Sequence, residues 1–203
     1  MKTIKERTVN KAKVAAFFDK LAPNWDSDCK NCDRRIRRIL DYAGIESSST
    51  VLDVACGTGV LFPFYLERNV RKIMGVDLSA GMIDRARAKF DDPRIELITG
   101  DVEQLTLPPF NRCVVYNALP HFEDPLRLIE SLSGNLEPGG RLTIAHGDGR
   151  DKIDERHRHG ASEVSLGLMP ADELALIFAP FFDVDTVVDS DEIYVVSGTK
   201  KIL

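Results

Sequence analysis

Apolar residues recur along the chain in two alternating patterns. Short runs of four to six apolar positions read as strands covered on both faces. They are Val51 to Val54, Lys72 to Asp77, Arg94 to Thr99, Cys113 to Asn117 and Arg141 to His146. Between them, apolar and polar residues alternate at helical spacing over Val60 to Arg68, Ala80 to Phe90 and Pro125 to Leu136. Strands alternating with helices of this length predict a parallel sheet joined by right-handed crossovers. Upstream, Val14 to Leu21 reads as a short helix stopped by Pro23, followed by a polar loop from Asn24 to Asp33. Asp33 to Ala43 puts Ile36, Ile39, Leu40 and Ala43 on one helical face, with four arginines on the wet side and Gly44 ending the helix. Downstream, Met169 to Pro180 reads as a helix. Phe182 to Val188 and Ile193 to Gly198 read as an antiparallel hairpin linked by Asp189-Ser190-Asp191-Glu192.

The first strand carries the most informative punctuation. Asp53 interrupts it, and the chain then turns through Ala55-Cys56-Gly57-Thr58-Gly59 into a helix. Glycines at alternate positions let backbone N–H groups approach a ligand without a Cβ in the way. In an open α/β sheet such a turn lies where ligands bind, outside the carboxyl ends of the strands. The turn lacks the third glycine of the dinucleotide fingerprint. The second strand ends in Asp77, eighteen residues after Gly59. That is the place for an acidic residue that accepts hydrogen bonds from the two hydroxyls of a ribose. Asp77 could instead cap the helix that follows, but Ser79 is there to do so.

The segments VLDVACGTG, GVDLSAGMIDRAR, GDVEQL and EPGGRLTIAH, in this order, resemble the class I S-adenosylmethionine-dependent methyltransferases. The opening FFDKLAPNWD is similar to that of the small methyltransferases grouped with ubiquinone and menaquinone biosynthesis. The resemblance spans Phe17 to Lys200 and departs from the family at Ala55, where glycine is common. It implies a Rossmann-like, seven-stranded, mostly parallel sheet with helices on both faces. The last strand would be antiparallel between the fifth and sixth. It also implies S-adenosylmethionine as cofactor. Asp53 would orient the turn and approach the methionine amino group, while Ala55, Gly57 and Gly59 would form the turn itself. Asp77 would hold the ribose. Leu78 and Met82 would flank the adenine, and Asp101 with Val102 would meet its amino group. Asn117 and Ala118 would face the methionine moiety, and Trp25 would lie near the cofactor. The quinone substrate does not follow from a shared core. One domain over residues 1–203 is expected, with a helical cap at 1–45 and a pocket-side insertion at 147–169.

Composition narrows the class. The chain has 203 residues, 43% apolar and 29% charged, which suits one globular domain. A net charge of −5 argues against a broad nucleic-acid face and favours a small-molecule methyl acceptor. No apolar run reaches membrane-spanning length, and the basic, polar first residues lack a signal peptide's apolar stretch, so the cytoplasm is the expected compartment. Cys56 and Cys113 read as small core residues. No feature bears on oligomeric state.

Methyl transfer from a sulfonium chiefly requires alignment and exclusion of water. Where the acceptor carries a proton, histidine suits the role of base. His121 follows the fourth strand and His146 ends the fifth, so both are candidate bases; His157 and His159 lie in the insertion. Cys29 and Cys32 have metal-ligand spacing, yet a single such pair does not make a metal site. Two other readings stand beside the enzyme. One is a non-catalytic protein on the same fold that binds the cofactor or a metal. The other is a nicotinamide-dependent oxidoreductase, which leaves GDVEQL and EPGG unexplained.

Overall fold

A computed structural model describes residues 8–28 and 33–202, so the Cys29 and Cys32 pair lies outside the described residues. Seven strands form one sheet in the order β3-β2-β1-β4-β5-β7-β6. They are β1 (Thr50–Val54), β2 (Lys72–Asp77), β3 (Ile95–Thr99), β4 (Phe110–Tyr116), β5 (Leu136–His146), β6 (Phe182–Asp189) and β7 (Tyr194–Lys200). The first five run parallel, and β7 lies antiparallel between β5 and β6. This is the expected topology. Its switch point falls between β1 and β4, where the strand order reverses.

The helices are α1 (Lys11–Leu21), α2 (Asp33–Tyr42), α3 (Phe62–Glu67), α4 (Ala80–Lys89), α5 (Pro125–Gly134), α6 (Arg150–Gly160) and α7 (Ala171–Phe178). Alternate strand residues feed two apolar layers. Ile36, Ile39 and Leu40 of α2, Phe62 and Tyr65 of α3, and Ile83 and Ala86 of α4 pack with Val51, Ile73, Val114 and Ala145 on one face. Leu128 and Leu132 of α5, Ile153 of α6, and Leu174 and Phe178 of α7 pack with Leu52, Val54, Val115 and Ile144 on the other. Burial on both faces is why these strands read as continuous apolar runs. Cys56 and Cys113 are free and buried, as expected.

Four sequence expectations are corrected. Pro23 does not open a loop: the chain tightens into a 3-10 helix over Ala22–Asp28, a form common where an α-helix ends. The α3 helix starts at Phe62 rather than Val60, because the turn still occupies those residues, with Phe62 N donating to Gly59 O. The Pro138-Gly139-Gly140 turn belongs to the extended run of β5, which pairs with β4 around an irregularity between Phe110 and Arg112. Arg35 is not on a wet face; it bonds Asp148 Oδ1 at 2.5 Å, while Arg156 takes Oδ2 at 2.7 Å. Gly44 closes α2 as expected, at φ +62°.

Ile144, fully buried at the centre of the sheet, tests the packing of the second layer. Ile144→Ala should lower unfolding free energy by about 2–5 kcal/mol in chemical denaturation, from lost burial plus a residual cavity.

Candidate functional site

The carboxyl end of β1 carries a turn of unusual backbone conformation. Ala55, Gly57 and Gly59 all take positive φ, at 55°, 56° and 81°. An L-residue at such an angle is strained, so Ala55 holds its conformation against a local cost. A Cβ on Gly57 would meet nothing nearer than Trp25 Nε1 at 4.0 Å, which leaves open space beside the turn. Gly59 has a different reason to be glycine: a Cβ there would lie 2.6 Å from Phe62 and 2.8 Å from Phe90. Its missing side chain makes room for packing rather than for a ligand.

Two carboxylates face this turn. Asp53 is 2% exposed, and its Oδ2 has no hydrogen-bond partner among the described residues. Burial, then the negative charge of Asp77, push its pKa well above the ordinary carboxylate range; the nearby Tyr65 hydroxyl opposes this without forming a well-aligned bond. Asp77 Oδ2 accepts from Gly57 N at 2.8 Å, and Oδ1 accepts from Ser79 N at 2.8 Å. Burial raises the Asp77 pKa against the pull of those two N–H groups. Ser79 is the N-cap of α4, accepting from Met82 N at 3.0 Å. Asp77 therefore does not cap α4 at the N-cap position, and each of its oxygens keeps a further lone pair for a ligand.

The N-terminal segment straps across this edge through three anchors that sequence reasoning missed. Asp19 Oδ1 accepts from Ser79 Oγ at 2.6 Å and Gly81 N at 2.9 Å. Asp26 accepts from Thr58 Oγ1 at 2.6 Å and Lys89 Nζ at 3.0 Å. Lys11 Nζ donates to Asp101 Oδ2 at 2.6 Å and also pairs with Glu103. Asp101 Oδ1 accepts from Glu103 N at 3.1 Å, the turn geometry of an aspartate. The only signal for the Asp19 and Asp26 contacts was the pair of acids within FFDKLAPNWD, and Lys11 stood in no motif.

The remaining expected residues divide. Met82 is 1% exposed and part of the core. Leu78 packs against Val9, Val14 and Val164. Val102 and Ala118 are buried in the second apolar layer. Asn117, at φ +56°, accepts from Gly147 N at 2.9 Å and so joins the ends of β4 and β5.

A line of aromatic rings leads from the turn to the insertion. Trp25 meets Phe18 at 5.6 Å, Phe18 meets His121 at 5.0 Å, and His121 meets His157 at 5.1 Å, centre to centre. His121 Nδ1 bonds Val164 O at 2.7 Å, and His157 Nδ1 bonds Ser165 Oγ at 2.8 Å. Burial drops the His121 pKa to about 4, against the support of the Val164 carbonyl. His146 is deeper, 1% exposed, edge-on to Tyr194, with both ring nitrogens unpartnered among the described residues. Burial, then His157 and His121, drop its pKa to about 3. Among the described residues no group of three or more His, Cys, Asp or Glu could hold a metal ion, and no helix is long and apolar enough to cross a membrane.

Residues 51–140 match the methyltransferase domain family. The chain is similar to a malonyl-[acyl-carrier protein] O-methyltransferase of Acetivibrio thermocellus, 29% identical over 68% of this chain and 50% of that protein. It is also similar to a demethylmenaquinone methyltransferase of Paenarthrobacter aurescens, 32% identical over 65% of this chain and 54% of that protein. The chain thus spans about half the length of these curated relatives. In fold it is similar to the N-methyltransferase NodS of Bradyrhizobium japonicum bound to S-adenosyl-L-homocysteine. The TM-score is 0.70 and identity 18%, over 92% of this chain and 97% of that one.

His146 makes a pH prediction. A histidine whose pKa is lower folded than unfolded contributes stability above the unfolded pKa and loses it as pH falls. Between about pH 6.5 and pH 5 the parent should lose roughly 1.6 kcal/mol more than His146→Leu in urea denaturation, the slope rising towards 1.36 kcal/mol per pH unit as the unfolded histidine becomes fully protonated.

Proposed function

With a methyltransferase domain over residues 51–140 as the premise, we propose that this chain transfers the methyl group of S-adenosylmethionine to a small molecule by in-line displacement. The observation that carries the reading is the buried, unpartnered Asp53 carboxylate beside a positive-φ turn that leaves Gly57 open. A buried carboxyl oxygen without a partner, Asp53 Oδ2, suits an ammonium group, whose charge would favour the carboxylate form, and an acid held by backbone N–H groups suits a ribose diol.

When bound, S-adenosylmethionine supplies a methyl group activated by a sulfonium. Asp53 would take its amino group, Asp77 its ribose hydroxyls and Asp101 its adenine amino group. Lys11 already neutralises Asp101, so that contact is shared with the strap. Trp25 and Phe18, stacked edge to face above the turn, would exclude water from the transfer. His121, neutral at physiological pH and next in the line of rings, is assigned the base. His146 is 1% exposed and packs edge-on against Tyr194, so it is assigned to packing rather than to the base. The names of the relatives point to metabolite and carrier-bound acceptors for those proteins. The net charge of −5 agrees with a metabolite over nucleic acid, and free buried thiols agree with a reducing cytoplasm.

Titration calorimetry with S-adenosylmethionine tests the reading. The parent should bind. Asp77→Ala should bind about 10- to 100-fold more weakly, the loss of a charged acceptor worth roughly 1.5–3 kcal/mol. Unchanged affinity would remove Asp77 from the site, and no binding by the folded parent would overturn the function.

A further inference from the structure

Two buried oxygens at the binding edge lack hydrogen bonds. Asp53 Oδ2, on β1, and the Tyr65 hydroxyl, on α3, have no partner among the described residues. Asp53 is 2% exposed and Tyr65 is 0% exposed. The hydroxyl lies near enough to the acid to favour its ionised form, yet no bond joins them. An unpaired buried donor and an unpaired buried acceptor both cost free energy. A carboxylate holds a hydroxyl strongly and a neutral carboxyl holds it weakly, so the pair stays apart while Asp53 carries a proton.

The surroundings explain why Asp53 keeps that proton. Every ionisable group that acts on it is itself an acid. Asp77 comes from β2, Tyr65 from α3, Cys56 from the glycine turn and Cys113 from β4. Burial pushes the Tyr65 phenol and both thiols up, so all three stay neutral. Cys56 Sγ donates to Gly57 O at 3.7 Å, and Thr58 Oγ1 donates to Asp26, which leaves the Tyr65 hydroxyl as the donor for Asp53. The cluster holds no cation, so the charge that would keep Asp53 ionised has to arrive with a ligand.

Resting on the S-adenosylmethionine reading above, we propose that Tyr65 is a positioning residue, which donates to Asp53 once the cofactor's ammonium group holds that acid as a carboxylate, and that binding therefore expels one proton. The ammonium keeps its three protons. The Asp53 carboxyl gives its proton to the solvent, and the Tyr65 hydroxyl keeps its own while donating it. The ammonium contact and the Tyr65 bond form together, and the second fixes the carboxylate for the first. Affinity then rises with pH until Asp53 ionises unaided, and is level above that point.

Titration calorimetry at about pH 6, in two buffers of different ionisation enthalpy, counts the protons released. The probes are S-adenosylmethionine and methylthioadenosine, which keeps the adenine, ribose and sulfur but lacks the amino acid. Methylthioadenosine still meets Asp77, whose own pKa is raised, so it reads that share alone. The parent should release up to about one proton more with S-adenosylmethionine than with methylthioadenosine, and Asp53→Asn should abolish the difference. From about pH 5 to pH 7, below the range of the cofactor's own amino group, the parent's affinity for S-adenosylmethionine should rise by up to about tenfold per pH unit relative to methylthioadenosine. Tyr65→Phe keeps the ring in its packing and removes the hydroxyl. It should bind S-adenosylmethionine about tenfold more weakly and methylthioadenosine as the parent does. Equal proton release with the two ligands would overturn the proposal, and the parent alone suffices to show it. A Tyr65→Phe that weakens both ligands equally, or neither, would also overturn it. In each of those cases S-adenosylmethionine still binds and the reading above stands. A folded parent that binds neither ligand would overturn that reading, and the proposal with it.

Discussion

The Asp77 carboxylate is the point on which the carboxyl edge of the sheet depends. It bonds the turn after β1 through Gly57 N and the start of α4 through Ser79 N. Ser79 in turn bonds Asp19 of α1. Three segments far apart in sequence thus meet around one acid. Removing its charge would free the glycine turn, the first turn of α4 and the strap together. The strained Ala55 lies in the same turn, and an L-residue at positive φ persists only where its surroundings over-determine it.

The fold was legible because it is written locally. Double-sided burial makes each parallel strand an apolar run, and the helices between them repeat at their own period. Misreadings fell where local signals compete. Pro23 signals a stop, yet the chain went on in a tighter helix. The Pro138-Gly139-Gly140 cluster signals a turn, yet pairing with β4 drew it into the strand. Arg35 belongs by periodicity to the wet face of α2, and only the tertiary position of Asp148 turns it inward.

Of the candidate site, the residues at strand ends stand out in the sequence and the contacts between distant segments do not. Asp53, Gly57 and Asp77 announce themselves by their places at strand ends. Gly59 stands in the same motif, but its reason to be glycine is the pair of phenylalanine rings beside it. Lys11 and Asp101 are 90 residues apart and Asp26 and Thr58 are 32 apart, so no periodicity predicts their pairing. The ring partners of His121 and His157 are a backbone carbonyl and a serine, groups too common to stand out in a sequence.

The strap's anchors are carboxylates, an ammonium and hydroxyls at the rim of the sheet, and its apolar contact with the rest is small. Such contacts exchange readily for water, and the charged ones are screened by salt. The strap's hold on the rim therefore weakens as ionic strength rises, while the two apolar layers beneath, held by burial, do not share that dependence.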